Sequence, residues 1–346
     1  MIVKKILIFN PSFIGDAILT TPLIKACKDY FDNPIIHFCV RDGYEKLFIG
    51  LPFIDRVIPF DKRGKDKGFT GILTLREYFK KALYDIIICP HRSIRSSLIV
   101  NFVGAKVTLG FNDSAFSFLF KKKVVRDLHI HEVYRNLQLL KPLLGNSYDN
   151  IIKDINSLYV AKNDKYEVNV KSFIDVIKGN YMLAGIHATS NWKTKMWPSE
   201  RFAALINKLY EYKIISVLFS SLQEREIISH MVQHIKVPVI NMAGLLDLDE
   251  LSSAIANLDL FITNDSGPMH IASAHKIPVV AIFGPTIPQF GFTPFGCKYK
   301  IVEDASLSCR PCSLHGGMTC PEKHFTCMLN ISVDTVLKSV IELINK

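Results

Sequence analysis

Short apolar runs alternate with amphipathic stretches along this chain, and one segment contains the complete repeating unit. In residues 262–286, ITNDSGPMHIASAHKIPVVAIFGPT, the run Leu260, Phe261, Ile262 stops at Asn264-Asp265. Ser266-Gly267-Pro268 then opens a small-residue helix carrying His270, and a second buried run, Pro278 to Phe283, ends at Gly284-Pro285-Thr286. A strand, a polar glycine turn, a helix and a second strand form the wall of a nucleotide site. The strand carboxyl ends supply the turns that meet the ligand, and the helix start offers N–H groups and a positive dipole end to phosphate. A plain βαβ unit with a capped helix would account for Asp265 and Gly267 equally well.

The pattern continues on both sides. KKILIF, PIIHFCV, YDIIICPH and KVTLGF read as strands in the first half, with a helix over AILTTPLIKACKDYF and another over 129–143. A basic segment, 62–81, lies among them. In the second half YMLAGIHAT, IISVLFSS and VPVINMAG are strands. PSERFAALINKLYEY, with Pro198 in its first turn, and LDLDELSSAIANL are helices, and an amphipathic helix covers about 332–345. Strands alternating with helices imply parallel sheets with helices on both faces, here twice over, with a cleft expected between facing strand ends. The expected domains are 1–170 and 171–330 followed by a C-terminal helix, 331–346, with the crossover near 161–179.

Composition narrows the class. At 346 residues, 49% hydrophobic and 21% charged, the chain is long enough for two cored domains and far from the disordered class. No apolar stretch reaches the ~18–20 residues that span a bilayer, and the N-terminus reads as a first strand rather than an export signal. A cytoplasmic protein is therefore expected. Residues 1–170 carry 26 Lys/Arg against 17 Asp/Glu, whereas residues 171–346 carry 16 against 15. The first half thus faces an anionic partner, be it nucleic acid, an anionic lipid surface or an acidic substrate. Walker A and GxGxxG motifs are absent, and the His131-Glu132 pair lacks the second histidine of a zincin.

Several ordered motifs resemble one family. FNPSFIGDAILTTPL, HATSNWKTKMWPSERF, NDSGPMHIASA, FGPTIPQFGFTPFG and the tail CRPCSLHGGMTCPEKHFTCMLNIS are similar to the ADP-heptose–lipopolysaccharide heptosyltransferases of glycosyltransferase family 9, from residue 5 to about 335. The cysteines of the tail look more like the second heptosyltransferase branch than the first. The resemblance implies a GT-B fold, with an N-terminal acceptor domain and a C-terminal donor domain. It also implies metal-independent, inverting transfer from ADP-heptose to the lipid A-Kdo inner core, at the inner face of the cytoplasmic membrane and with no nucleic acid partner. A GT-B transferase for another nucleotide sugar and a non-enzymatic nucleotide- or nucleic-acid-binding protein are the alternatives.

Inverting transfer needs a base for the acceptor hydroxyl, positive charge for the departing diphosphate, and donors that hold the sugar in line. Asp16, in the turn after the first strand, suits either a base or a helix cap, and the resemblance favours the base. Lys195, with Lys193 as competitor, is placed by the resemblance at the diphosphate, where Thr189 and Ser190 would hydrogen-bond its oxygens. Asp265, Ser266, Gly267 and His270 correspond to the family's donor-binding set. Asp265 is assigned to sugar hydroxyls or loop orientation, since a carboxylate repels phosphate. Glu224 and Met242 are expected against the adenosine, and Thr286 beside the heptose.

Cys309, Cys312, Cys320 and Cys327 give C-x2-C-x7-C-x6-C with His315 and His324 interspersed. Reduced or paired thiols are favoured there over a structural zinc, because the gaps depart from paired CxxC ribbons. Cys27, Cys39, Cys89 and Cys297 read as core. Residues 115–126, AFSFLFKKKVVR, combine aromatic rings with lysines and suggest contact with a membrane surface, or alternatively a β-hairpin with a core face.

Overall fold

A computed structural model describes residues 3–163, 166–167 and 178–345, so most of the expected crossover lies outside the described residues. The chain divides into two compact units, Met1–Ala161 and Lys162–Lys346. In the first, β1 (Lys5–Phe9), β2 (Ile35–Arg41), β3 (Arg56–Phe60), β4 (Ile86–Cys89), β5 (Val107–Phe111) and β6 (Lys122–Val124) form a parallel sheet of order β3-β2-β1-β4-β5-β6. In the second, β7 (Met182–His187), β8 (Ile214–Leu218), β9 (Val239–Asn241), β10 (Leu260–Asn264), β11 (Val279–Phe283) and β12 (Tyr299–Glu303) form a parallel sheet of order β12-β11-β10-β7-β8-β9. The second order is the first read from the other edge. Both are doubly wound, and the strand order reverses between β1 and β4 and between β7 and β10, the switch points where such sheets bind ligands.

All the strands expected from apolar runs are present, and the central ones are buried along their whole length: every residue of β4, β8, β10 and β11 is buried. Helices cover both faces, so these strands have no polar alternation. The sequence reading missed β3, β6 and β12, all of them edge strands. β3 carries Pro59, tolerated where one side needs no ladder partner, and β6 and β12 carry exposed lysine or tyrosine.

Proline also breaks two of the expected helices. The stretch after β1 forms helices Ile14–Leu19 and Thr21–Tyr30. Pro22 has no N–H for the Ile18 carbonyl, and the Thr21 hydroxyl donates to it instead (2.7 Å). Pro142 likewise separates helix Glu132–Gln138 from the short turn Lys141–Leu144. The basic segment contains a helix, Gly68–Lys81, whose Gly68, Gly71 and Thr70 hide it from propensity.

Segment 115–126 is neither wholly a surface loop nor a hairpin. Phe120 is buried against Gly110, where an added Cβ would lie 2.6 Å from the ring, and β6 pairs parallel to β5. The ammonium groups of Lys121 and Lys122 donate to the carbonyls of Ala105 (2.6 Å) and Pro142 (2.9 Å).

In the second unit the C-terminal helix, Val333–Ile344, packs on helix Ser199–Glu211 and on β12. Trp197 is fully buried beside Phe202, donates its indole N–H to the Ile331 carbonyl (3.0 Å), and so ties that terminus to the core.

Candidate functional site

The second unit carries five sets of candidate residues at the carboxyl ends of five strands. Thr189, Ser190 and Lys195 follow β7, Glu224 follows β8, Met242 follows β9, Asp265 to His270 follow β10 and Thr286 follows β11. At the switch point the Lys195 ammonium meets the Asp265 carboxylate at 2.6 Å, both side chains being 11% exposed. The Thr286 hydroxyl donates to the same carboxylate oxygen (2.7 Å). Asp265 therefore orients loops from β7 and β11 around itself.

Below this pair, Asn264 donates to the Ala188 carbonyl (2.9 Å) and accepts from the Trp197 amide (3.1 Å), which pins the 188–197 loop over β10. Ser266 is the N-cap of helix Gly267–Ala274, yet its side chain makes no cap bond. Its hydroxyl lies 3.2 Å from His187 Nδ1 and 3.1 Å from the Thr263 hydroxyl. Thr189 sits on the other ring nitrogen of His187 (3.4 Å). Burial pushes the His187 imidazole below its ordinary range, against the field of Glu224, so a neutral ring links the turns after β7 and β10. No side chain caps the helix start, Asp265 included; Pro268 has no N–H and the Met269 amide donates to the Ser266 carbonyl (3.2 Å), which leaves the Gly267 amide and the positive dipole end to meet an anion.

Glu224 and Met242 are brought together less tightly. Glu224 Oε2 accepts from the amide (3.1 Å) and hydroxyl (2.7 Å) of Ser221 in a capping box. Met242 is half-buried, and its loop passes close by: at Gly244 (φ +71°) a Cβ would lie 3.1 Å from Leu222 Cα. His270 is buried in the first turn of its helix.

The cysteine-rich tail contributes what sequence reasoning missed. Gly317 and Thr194 exchange three hydrogen bonds (2.7, 2.9 and 3.0 Å). At Gly316 (φ +86°) a Cβ would lie 3.1 Å from Lys195 Cγ, so only glycine lets the tail close over that side chain. Arg310 donates to the carbonyls of Gly284, Asp304 and Thr286 and pairs with Glu303 at 2.7 Å. Its place inside the CRPC motif was the only sequence signal. Cys309, Cys312, Cys320 and Cys327 are free thiols near one another, and the Cys312 and Cys327 thiols are pushed up by burial and by the neighbouring sulfurs. Among the described residues no three His, Cys, Asp or Glu side chains group as metal ligands. Cys27, Cys39 and Cys89 are buried, whereas Cys297 is only half-buried, its thiol 3.6 Å from the Ser273 hydroxyl.

In the first unit, Asp16 lies at the switch point after β1, inside helix Ile14–Leu19 rather than as its N-cap, which is Phe13. Its carboxylate reaches back to the Phe13 amide, half of a capping box, so the structural and chemical roles of this residue coexist. Asn10 holds the loop from both sides: it donates to the Thr20 hydroxyl (2.8 Å) and accepts from Ser12 (2.6 Å). Burial and the Glu132 carboxylate raise the Asp16 carboxyl to about 7, against the Phe13 amide and the guanidiniums of Arg126 and Arg92. Glu132 itself pairs with Arg126 (2.8 Å) and with the fully buried Arg135 (2.9 Å), a triad no motif announced. A carboxylate tuned to neutrality suits a general base.

Further along the same carboxyl edge, burial and the cations of Arg41, Arg63 and Arg95 push the Lys62 ammonium below its ordinary range. Burial, with Lys62 and Arg92 nearby, pushes His91 down to about 4. Among the described residues, no carboxylate pairs with Arg41, Lys62, Arg63 or Arg95, so this group is an attractor for anions.

The two doubly wound units and their switch-point residues define the GT-B class of glycosyltransferase fold. Residues 72–325 match the glycosyltransferase family 9 (heptosyltransferase) profile. The chain belongs to that family. It is 26% identical over 344 residues to a lipooligosaccharide heptosyltransferase 2 of Campylobacter jejuni, covering 98% of this chain and 99% of that protein. A solved family 9 glycosyl transferase from Veillonella parvula superposes with a TM-score of 0.86 at 25% identity, covering 99% of this chain and 97% of the other. The ADP-heptose lps heptosyltransferase II of E. coli superposes at 0.78 and 21% identity, over 99% and 98%. Lys195, Asp265 and Thr286 lie within the profile match, whereas Asp16 precedes it.

Proposed function

We propose that this glycosyltransferase moves a heptose from ADP-heptose, with inversion and without a metal ion, onto the lipopolysaccharide inner core. The observation that carries the reading is the buried Lys195–Asp265–Thr286 cluster at the switch point beside an uncapped helix N-terminus. A cation next to a helix N-terminus, with its positive dipole end and the Gly267 amide, is what a departing diphosphate requires. Thr189 and Ser190 then hydrogen-bond its oxygens, Gly267 allows close backbone approach, and Met242 and Glu224 take the adenosine side. In the first unit Asp16 removes the proton from the acceptor hydroxyl as it attacks the anomeric carbon. The unpaired cations around Lys62 receive the carboxylates and phosphates of a lipid A-Kdo acceptor. Relatives named as heptosyltransferase 2 favour an acceptor that already bears one heptose.

Thermal melting against ADP-, UDP- and GDP-sugars tests the donor. ADP-heptose at 100 times its Kd should raise the Tm by about 5 °C or more, since ~2.7 kcal/mol of linkage acts on a unit of this size. A shift with a UDP- or GDP-sugar and none with ADP-heptose would overturn the donor assignment. The base also has a pH signature. With Asp16 near 7, only the deprotonated form accepts the proton, so kcat/KM should rise about tenfold per unit below that value and level off above it. A profile flat from pH 5.5 to 8 counts against Asp16.

A further inference from the structure

We propose that the outer layer formed by helices Gly68–Lys81 and Ile94–Asn101 and by the turn 114–120 docks on an anionic lipid bilayer, an inference that rests on the reading of a lipid-linked acceptor. Six large apolar side chains point outward here: Phe69 (71% exposed), Leu73 (38%), Ile94 (54%), Phe102 (48%), Phe116 (42%) and Phe118 (71%). They form one patch. Phe69 and Leu73 are one helical turn apart, and Leu98 continues the line from Ile94 to Phe102 on the neighbouring helix. Arg76 bridges the two helices, donating to the Phe102 carbonyl (3.2 Å) and lying 5.2 Å from its ring centre. The turn is joined to the second helix where the Ser97 hydroxyl donates to the Ala115 carbonyl (2.5 Å) and the Ala115 amide to the Arg92 carbonyl (3.0 Å). Phe116 holds a left-handed backbone (φ 55°) that bulky residues avoid, and its ring meets Phe118 edge-on at 5.8 Å, outside the core. An apolar area of this kind on a folded surface marks a contact.

Charge identifies the occupant. Arg63, Lys65 and Lys67 are exposed in the turn that leads to Phe69, and Lys123 is exposed beyond Phe118. The nearby acids are engaged: Asp66 is buried, Asp61 accepts from its own turn, and Asp113 pairs with Arg92 at 2.8 Å. Asp113 is exposed but paired, and Glu77 is exposed on its helix. Protein interfaces deplete lysine from their centres, whereas rings set among lysines match the boundary between acyl chains and anionic headgroups.

The test uses the full chain and sedimentation with phosphatidylethanolamine vesicles, with and without phosphatidylglycerol. The protein should pellet with the anionic vesicles, less so as salt rises. A Phe69→Ser/Phe118→Ser variant should lose binding about 100-fold, roughly tenfold for each ring removed from the bilayer. In a separate Phe118→Trp variant, tryptophan emission should shift to the blue on adding the same vesicles. Failure of the unaltered protein to pellet, undiminished binding by the double variant, or unchanged F118W emission would overturn the proposal. Transfer to a deacylated, water-soluble acceptor is measured in parallel and should be equal in the unaltered and double-variant proteins. Equal transfer also establishes that the variant is folded. If neither transfers heptose while the vesicle results hold, the transferase reading fails and the docking face stands.

Discussion

Asp16→Asn is expected to lower turnover by about 10²–10⁴-fold, the usual contribution of a positioned general base, while ADP-sugar affinity stays within a few-fold. The substitution keeps the shape of the side chain, and its amide oxygen can still accept from Phe13, so helix Ile14–Leu19 retains its start. Only proton acceptance is removed. Steady-state kinetics with calorimetric titration of the donor separate the two effects. Turnover within threefold of the parent would assign Asp16 to the helix and not to the chemistry. The acid limb of the pH profile should vanish in the same variant. Glu132→Gln should move that limb to lower pH, because one of the causes raising the Asp16 carboxyl is removed while Arg126 and Arg92 remain.

Lys195→Met should reduce kcat by about 10²–10³-fold, the scale observed on removing one stabilising donor from a developing anion. It should also destabilise the second unit, because it strands the Asp265 carboxylate where both partners are nearly inaccessible; breaking a buried pair typically costs ~3–5 kcal/mol. The double variant Lys195→Met/Asp265→Asn distinguishes the two roles. It leaves no orphan charge and keeps an acceptor for Thr286, so stability should return while activity does not. Recovery of activity together with stability would make Lys195 a structural residue and leave the diphosphate to the helix N-terminus. The Gly316 contact sharpens the point, since the tail already confines Lys195 from above.

These expectations draw on different depths of information. The strand at 260–264 and the turn at 265–267 were legible because a fully buried parallel strand must be an uninterrupted apolar run, ended by residues that suit a turn. The same logic located β1 and β7, and with them Asp16 and Thr189. The helix over 68–81 was not legible: its glycines weaken the local signal, and what compensates is tertiary, the burial of Leu75 and Phe79 against Phe9, Phe60 and Tyr84 and the packing on helix Ile94–Asn101. Phe120 and Phe118 stand two positions apart in one aromatic-basic segment, yet one is core and the other solvent-facing. That difference depends on β6 pairing with β5, a long-range event.

The order of apolar runs and glycine turns along the chain was enough to specify two doubly wound sheets and to put the polar candidates at strand carboxyl ends, because periodicity and turn chemistry are local properties. Which of those ends become neighbours was decided by the sheet order, which sets β7 beside β10 and so brings Lys195 to Asp265 across 70 residues. Tertiary packing likewise placed Glu132, Arg126 and Arg92 around Asp16, set Arg135 against Glu132 and folded Gly316 over Lys195. Burial and distant charges act through space, and the identity of a residue's spatial neighbours is not written in its own stretch of chain.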